Sequence, residues 1–185
     1  MSTPTPRKVL LAYDHSRNSD HAVDVCIAQN LIQKAELDHI IVVMVVNEEL
    51  SHVYNSIELQ AAHYGANWLA EDYDRRIKAV EMGAQGVVSD VVRKLKGLGY
   101  TAEGVILRGE PREELLIYCT KHHIDLLIAG SRGLGFFKRQ LLGSVTDHLA
   151  HHLTTTNLLI IKPAEEHKTN ATVAPETTPP VAATE

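Results

Sequence analysis

Five short apolar runs recur along the chain: KVLLAYD (8–14), HIIVVMVV (39–46), GVILRG (104–109), IDLLIAG (124–130) and NLLIIKP (157–163). All are rich in branched residues, and the first, second, fourth and fifth are almost continuously apolar. A run of that kind suits a strand covered on both faces, the environment of a parallel sheet. Between the runs the apolar period changes to that of a helix. Ala22, Val23, Cys26, Ile27 and Leu31 place one helix within 19–35. Leu69, Tyr73, Ile77 and Val80 form one stripe, and Val88, Val91, Val92 and Leu95 form another. Gly83 and Gly86 lie between these stripes and are expected to mark a kink or break. A further helix runs from Pro111, a favoured first-turn residue, to about His122, and the last begins at Gly143-Ser144. The alternation reads as a three-layer α/β fold, an open parallel five-stranded sheet with helices on both faces. Right-handed crossovers leave few topologies for it. Ligands of such sheets bind beyond the carboxyl ends of the strands, where the strand order reverses.

Composition narrows the class. With 185 residues, 44% hydrophobic and 22% charged, the chain can build one ordinary core and carry some tail. A net charge of -5 lacks the basic footprint of a nucleic-acid binder. No run approaches the ~18 apolar residues of a membrane span, and MSTPTPRKVLLAYD has no secretory leader pattern, so no membrane partner is expected. Cys26 and Cys119 both lie in helix-like surroundings. Reduced, structural thiols and a cytoplasmic address follow. Residues 1–6 are polar and read as a disordered start, and 7–163 as one domain. Residues 164–185 contain no Leu, Ile, Met or aromatic side chain and read as a disordered tail rich in Pro, Thr, Ala and Glu.

The stretch GSRGLGFFKRQLLGSVTDH (130–148) begins where the fourth strand ends and closes in the first turn of the last helix. Gly130 and Gly133 remove side chains where a ligand can approach the backbone. Gly143, Ser144 and Val145 offer N–H groups and a hydroxyl at a helix N-terminus, an anion site, with Arg132, Lys138 and Arg139 nearby. On spacing alone two readings stand side by side. One is a phosphate cradle; in the other the glycines serve only turns and Ser144 is an N-cap. The Walker pattern is missing, and Gly133-Leu134-Gly135 lacks the third glycine of the dinucleotide fingerprint. Asp14, in Tyr13-Asp14-His15-Ser16, adds an acid at the end of the first strand, where a turn role is the plainer alternative.

With these motifs in view, the sequence resembles the universal stress proteins. The likeness rests on Gly130-x2-Gly133-x9-Gly143-Ser144, on LLAYDHS, RGEP (108–111), IDLLIAGSRG and NLLIIKP, and it covers nearly all of 7–163. It implies a sheet of order 3-2-1-4-5, adenine-nucleotide alpha-hydrolase-like, and ATP binding with Mg²⁺ carried by the nucleotide. By position, Asp14 and Val45 would contact the adenosine part. Gly130, Gly133, Gly143, Ser144 and Val145 would hold ribose and phosphates, with Ser131 and Arg132 in the same turn. Ala129 departs from the larger Met of many relatives.

The implied function is a nucleotide-dependent stress-response switch or sensor with at most slow hydrolysis. Asp14 is the one acid near the site, and phosphoryl transfer needs a metal clamp and a positioned nucleophile. A small ATP-dependent transferase or pyrophosphatase is the alternative, with Lys138 its only nearby candidate. In the implied strand order the fifth strand is an edge whose unbroken apolar run the polar tail cannot cover. Relatives with this ending commonly pair there, so a homodimer through 157–163 is expected. Of the eleven histidines, His148 and His152 lie four apart with His151 adjacent, and are read as part of an ordinary amphipathic helix rather than a metal site.

Overall fold

The structure, a computed structural model, describes residues 5–34, 37–46, 67–131 and 142–163. Within them the chain runs β1 (Arg7–Ala12), α1 (Arg17–Ala28), β2 (Asp38–Val46), α2 (Asn67–Gly97), β3 (Thr101–Arg108), α3 (Pro111–His122), β4 (Leu126–Gly130), α4 (Ser144–His152) and β5 (Asn157–Ile161). The five strands form one sheet of order β3-β2-β1-β4-β5, and every pairing is parallel. The expected order is therefore the observed one. β3 starts at Thr101, three residues before the apolar run suggested, because its outward residues Thr101 and Glu103 are exposed and polar. The polar tail and the glycine loop, residues 164–185 and 132–141, lie outside the described residues.

Two cores hold the layers together. On one face Val9, Leu11 and Tyr13 of the β1 segment and Ile40 and Val42 of β2 pack with Ala22, Val23 and Cys26 of α1 and Val88, Val91 and Leu95 of α2. On the other, Leu10, Ile41, Val43 and Leu127 meet Leu115 and Cys119 of α3 and Leu149 of α4. The strand side chains alternate between these cores, which is why β1 from Val9, β2 from Ile40 and β4 are apolar on both faces. Burial pushes both thiols up, Cys26 to about 11 and Cys119 to about 11, and they sit in separate cores.

The two stripes before and after Gly83 and Gly86 belong to one helix of 31 residues, not two. Both glycines are exposed, and a Cβ added to either would meet nothing within 4 Å. Each glycine costs the helix about 1 kcal/mol, which burial of Ala84, Val88, Val91 and Leu95 outweighs. Helix ends follow a common device. α1 stops at Ala28, earlier than its apolar period suggested, because Asn30 turns left-handed (φ 54°) and Leu31 N–H reaches back to Cys26 O. Gly99 (φ 89°) with Tyr100 N–H to Leu95 O, and His123 (φ 52°) with Ile124 N–H to Cys119 O, end α2 and α3 alike. In each case the apolar residue after the left-handed position drops into the core.

At the start of the sheet, Asp38 is 2% exposed yet ionically satisfied. Arg7 donates to both its oxygens at 2.9 and 2.8 Å, and Gln33 N–H adds a third bond at 2.7 Å. No helix among the described residues is long and apolar enough to cross a membrane.

Two outcomes follow from this packing. Gly104 lets α2 approach β3, since a Cβ there would sit 2.5 Å from Val88 Cγ1. Gly104→Ala should destabilise by about 1–3 kcal/mol in urea unfolding, and adding Val88→Ala should recover less than the full loss because it opens a cavity elsewhere. The thiols give a pH signature. Their proton affinity is raised in the native state, so the stability they confer is complete below the ordinary value of 9.0 and is lost as pH rises towards about 11. Neither should react with a thiol reagent at pH 8 until the protein is unfolded, when both should.

Candidate functional site

The order of the sheet reverses between β1 and β4. From β1 the chain turns to α1 on one face, and from β4 it continues to α4 on the other, so a crevice opens at their carboxyl ends. Ala12 pairs with Val43 and Leu11 with Ile128. Carried two residues past Ala12 and three past Leu11, those registers set Asp14 level with Val45 and with Ser131. Asp14 and Ser131 lie just beyond the ends of β1 and β4, and Val45 near the end of β2, all at the carboxyl edge of the sheet.

Asp14 is half-buried and serves the turn out of β1, its Oδ1 accepting from Ser16 N–H at 3.1 Å. His15, in the left-handed region at φ 60°, makes that turn tight. Ser16 then caps α1 by accepting from Ser19 N–H at 3.2 Å. The buried Tyr13 hydroxyl donates to Asp20 on α1, and burial and that carboxylate push it above its ordinary range. The acid at this end of the sheet is therefore held in place by local turn chemistry.

Across the crevice, the stem of the 130–143 loop is closed by hydrogen bonds. Gly143 N–H donates to Ser131 O at 2.7 Å, and Ser131 N–H donates to Ile161 O at 2.8 Å. The cap of α4 is Gly143, without a side-chain hydrogen bond, and Ser144 is the first helical residue, exposed. The alternative of Ser144 as N-cap is thereby ruled out, and one expectation is corrected: the Gly143 N–H is committed to Ser131 rather than open to an anion. The first intrahelical bond is Asp147 N–H to Gly143 O at 2.9 Å, which leaves Ser144, Val145 and Thr146 N–H without intrahelical acceptors. Arg132, Gly133, Lys138 and Arg139 lie outside the described residues.

Two features of the stem were not legible beforehand. Thr146, 4% exposed, donates its hydroxyl to Gly130 O at 2.9 Å and fastens the first turn of α4 to the end of β4. Ser131, 3% exposed, has a buried Oγ with no hydrogen-bond partner among the described residues. A buried hydroxyl left unpaired costs about 1–3 kcal/mol, so this atom is poised for an added donor or acceptor. A β-branched hydroxyl in the first turn of a helix was the available signal for Thr146; nothing in the sequence marks the side chain of Ser131.

The histidines of α4 form a separate group. The His148 and His152 rings stack with centroids 4.0 Å apart, His152 Nδ1 lies 2.7 Å from His148 O, and His148 Nε2 lies 3.8 Å from Glu113 of α3. Among the described residues no three His, Cys, Asp or Glu side chains are grouped to hold a metal.

An open parallel sheet with a glycine-bounded helix N-terminus at its switch point defines an α/β fold of the nucleotide-hydrolase-like kind. The model of the universal stress protein family matches residues 5–162, and the chain belongs to that family. A 54-residue segment is 37% identical to universal stress protein YxiE of Bacillus subtilis, covering 29% of this chain and 36% of that protein. Among solved structures, the MJ0577 protein superposes with a TM-score of 0.65 at 21% identity, over 88% of this chain and all of that one. A universal stress protein family protein of Arabidopsis thaliana with AMP bound gives 0.53 at 18% identity, over 85% of this chain and 92% of that one. A universal stress protein in complex with cAMP gives 0.51 at 20% identity, over 87% of this chain and 100% of that one. At these identities the structural likeness carries the fold.

Proposed function

We propose that this universal stress protein binds an adenine nucleotide, ATP, at the β1/β4 switch point and acts as a nucleotide-dependent stress-response switch or sensor. The observation that carries the reading is the stem of the glycine loop. There, N–H groups of Ser144 and Val145 lack intrahelical acceptors, and the buried Ser131 hydroxyl nearby in the stem has no partner among the described residues. Helix N-termini favour anions through exactly such groups and through the helix dipole. Asp14 and Val45, at the same edge of the sheet as Ser131, would take the adenosine part, and Gly130, Ser131, Arg132, Gly133, Gly143, Ser144 and Val145 the ribose and phosphates. Mg²⁺ would come with the nucleotide, held by phosphate oxygens and water. Two proteins of the same fold that hold AMP and cAMP support the ligand class. Asp14 is tied to its own turn, which favours binding with at most slow hydrolysis over efficient turnover. Two reduced, buried thiols suit a cytoplasmic setting.

The same reading includes a homodimer through 157–163. Among the described residues β5 is a sheet edge, paired only with β4, and its Leu158, Leu159 and Ile160 stay half-buried in the single chain. Pairing with a second copy across a two-fold axis covers that edge and closes at two subunits.

Calorimetry should find ATP binding to the full chain, and ligand at ~100 times its dissociation constant should add ~2.7 kcal/mol of stability. Gly143→Val should weaken binding about tenfold or more, about 1.4 kcal/mol, by setting a branched side chain where phosphate meets the helix. Equal affinity in the variant removes the phosphate assignment, and turnover of several ATP per second favours an enzyme. Light scattering should report twice the 20.4 kDa chain mass, and Ile160→Glu should shift the protein to monomer or to insolubility. A soluble wild-type monomer at micromolar concentration overturns the dimer.

A further inference from the structure

β4 is fastened at both ends by a buried threonine hydroxyl. At its start, Thr156 Oγ1 donates to Ile124 O at 2.8 Å; at its finish, Thr146 Oγ1 donates to Gly130 O at 2.9 Å. The two threonines are 8% and 4% exposed, and each bond runs from a hydroxyl to a backbone carbonyl at an end of β4, with Thr156 also bonded to the Cys119 thiol. They differ in place. Thr156 lies at the amino edge of the sheet, whereas Thr146 lies in the first turn of α4, directly after Ser144 and Val145.

We propose that Thr146 is a positioning residue for the ligand site. The role rests on the nucleotide reading above. Among the described residues, two hydrogen bonds join the start of α4 to the end of β4, Gly143 N–H to Ser131 O and Thr146 Oγ1 to Gly130 O. One bond alone is a pivot about which the helix start can swing; two, three residues apart along the chain, fix its direction. Direction matters because a hydrogen bond weakens steeply once its angle falls below about 120°, and the anion is to be held by two adjacent N–H groups at once. The same bond holds the first turn of α4 at a set distance from Ser131, whose buried hydroxyl has no hydrogen-bond partner among the described residues. Thr146 thus sets the aim of the N–H groups without touching the ligand.

The test compares Thr146→Val, which keeps the shape and removes the donor, with Thr146→Ser, which keeps the donor, and with Thr156→Val, which removes the matching bond at the far edge. ATP and AMP affinities are measured by calorimetry on the full chain, with the thermal midpoint recorded without ligand. Thr146→Val is expected to weaken both nucleotides by about fivefold or more. Thr146→Ser should stay close to wild type, and so should Thr156→Val, even where its thermal midpoint drops as far as that of Thr146→Val. If the valine at 146 prevents folding, Thr146→Ala is read in its place and should show the same loss of affinity. Wild-type binding with unchanged affinity in the variants at 146, or an equal loss in Thr156→Val, overturns the positioning role and leaves the nucleotide site standing. Absence of binding by the wild type overturns the nucleotide reading and this role with it.

Discussion

The parallel pairing of β1 with both β2 and β4 is the constraint on which the rest of the structure depends. A central strand flanked on both sides must bury both faces, so Val9 and Leu11 go to one core and Leu10 to the other. A right-handed crossover then sends α1 and α2 to one face as the chain moves from β1 towards β3, and α3 and α4 to the other as it moves towards β5. The two connections leaving the carboxyl ends of β1 and β4 diverge to opposite faces of the sheet. The crevice is a consequence of strand order, not of any particular side chain.

What fills the rim of that crevice is backbone accounting. Each strand end and helix start leaves N–H and C=O groups that the regular ladders do not use. On the β1 side some are met locally, by Asp14 for Ser16 N–H and by Ser16 for Ser19 N–H. On the β4 side Gly143 and Thr146 satisfy the carbonyls of Ser131 and Gly130, while among the described residues the Ser131 hydroxyl has no partner and the first N–H groups of α4 have no intrahelical acceptor. Helix starts at both strand ends thus present backbone donors towards the switch point, and the β4 side adds a buried hydroxyl to them.

All five strands were legible because branched apolar runs admit few environments, whereas the strand order came with the family resemblance. The sequence reading went astray where the signal was a balance of small terms. Gly83 and Gly86 looked like a break, yet two exposed glycines do not outweigh a buried stripe from Ala84 to Leu95. The end of α1 was overshot because Asn30 signals through its left-handed conformation, which apolar spacing does not record. At the site, Asp14, Val45 and Ser131 could be put at the ends of the right strands, but their relative heights depend on the registers of β1 with β2 and β4. The use of the Gly143 N–H and the bond made by Thr146 are side-chain and loop-stem geometry, invisible to spacing.

The two edges of the sheet are unequal, and that bears on how copies of the chain can meet. β3 opens on exposed Thr101 and Glu103, with Glu103 3.0 Å from His39 of β2, and continues with half-buried Val105, Ile106 and Leu107. Charge and polarity at the start of an edge strand discourage a second strand from docking there. β5 carries Leu158 to Ile161 without a polar interruption, and within the strand only Asn157 is exposed. Two open, equivalent edges would invite head-to-tail growth into a filament, since each added copy would present a fresh edge. In the proposed homodimer β5 would instead meet its own kind, with the same patch used on both copies, and a contact of that symmetry closes at two subunits.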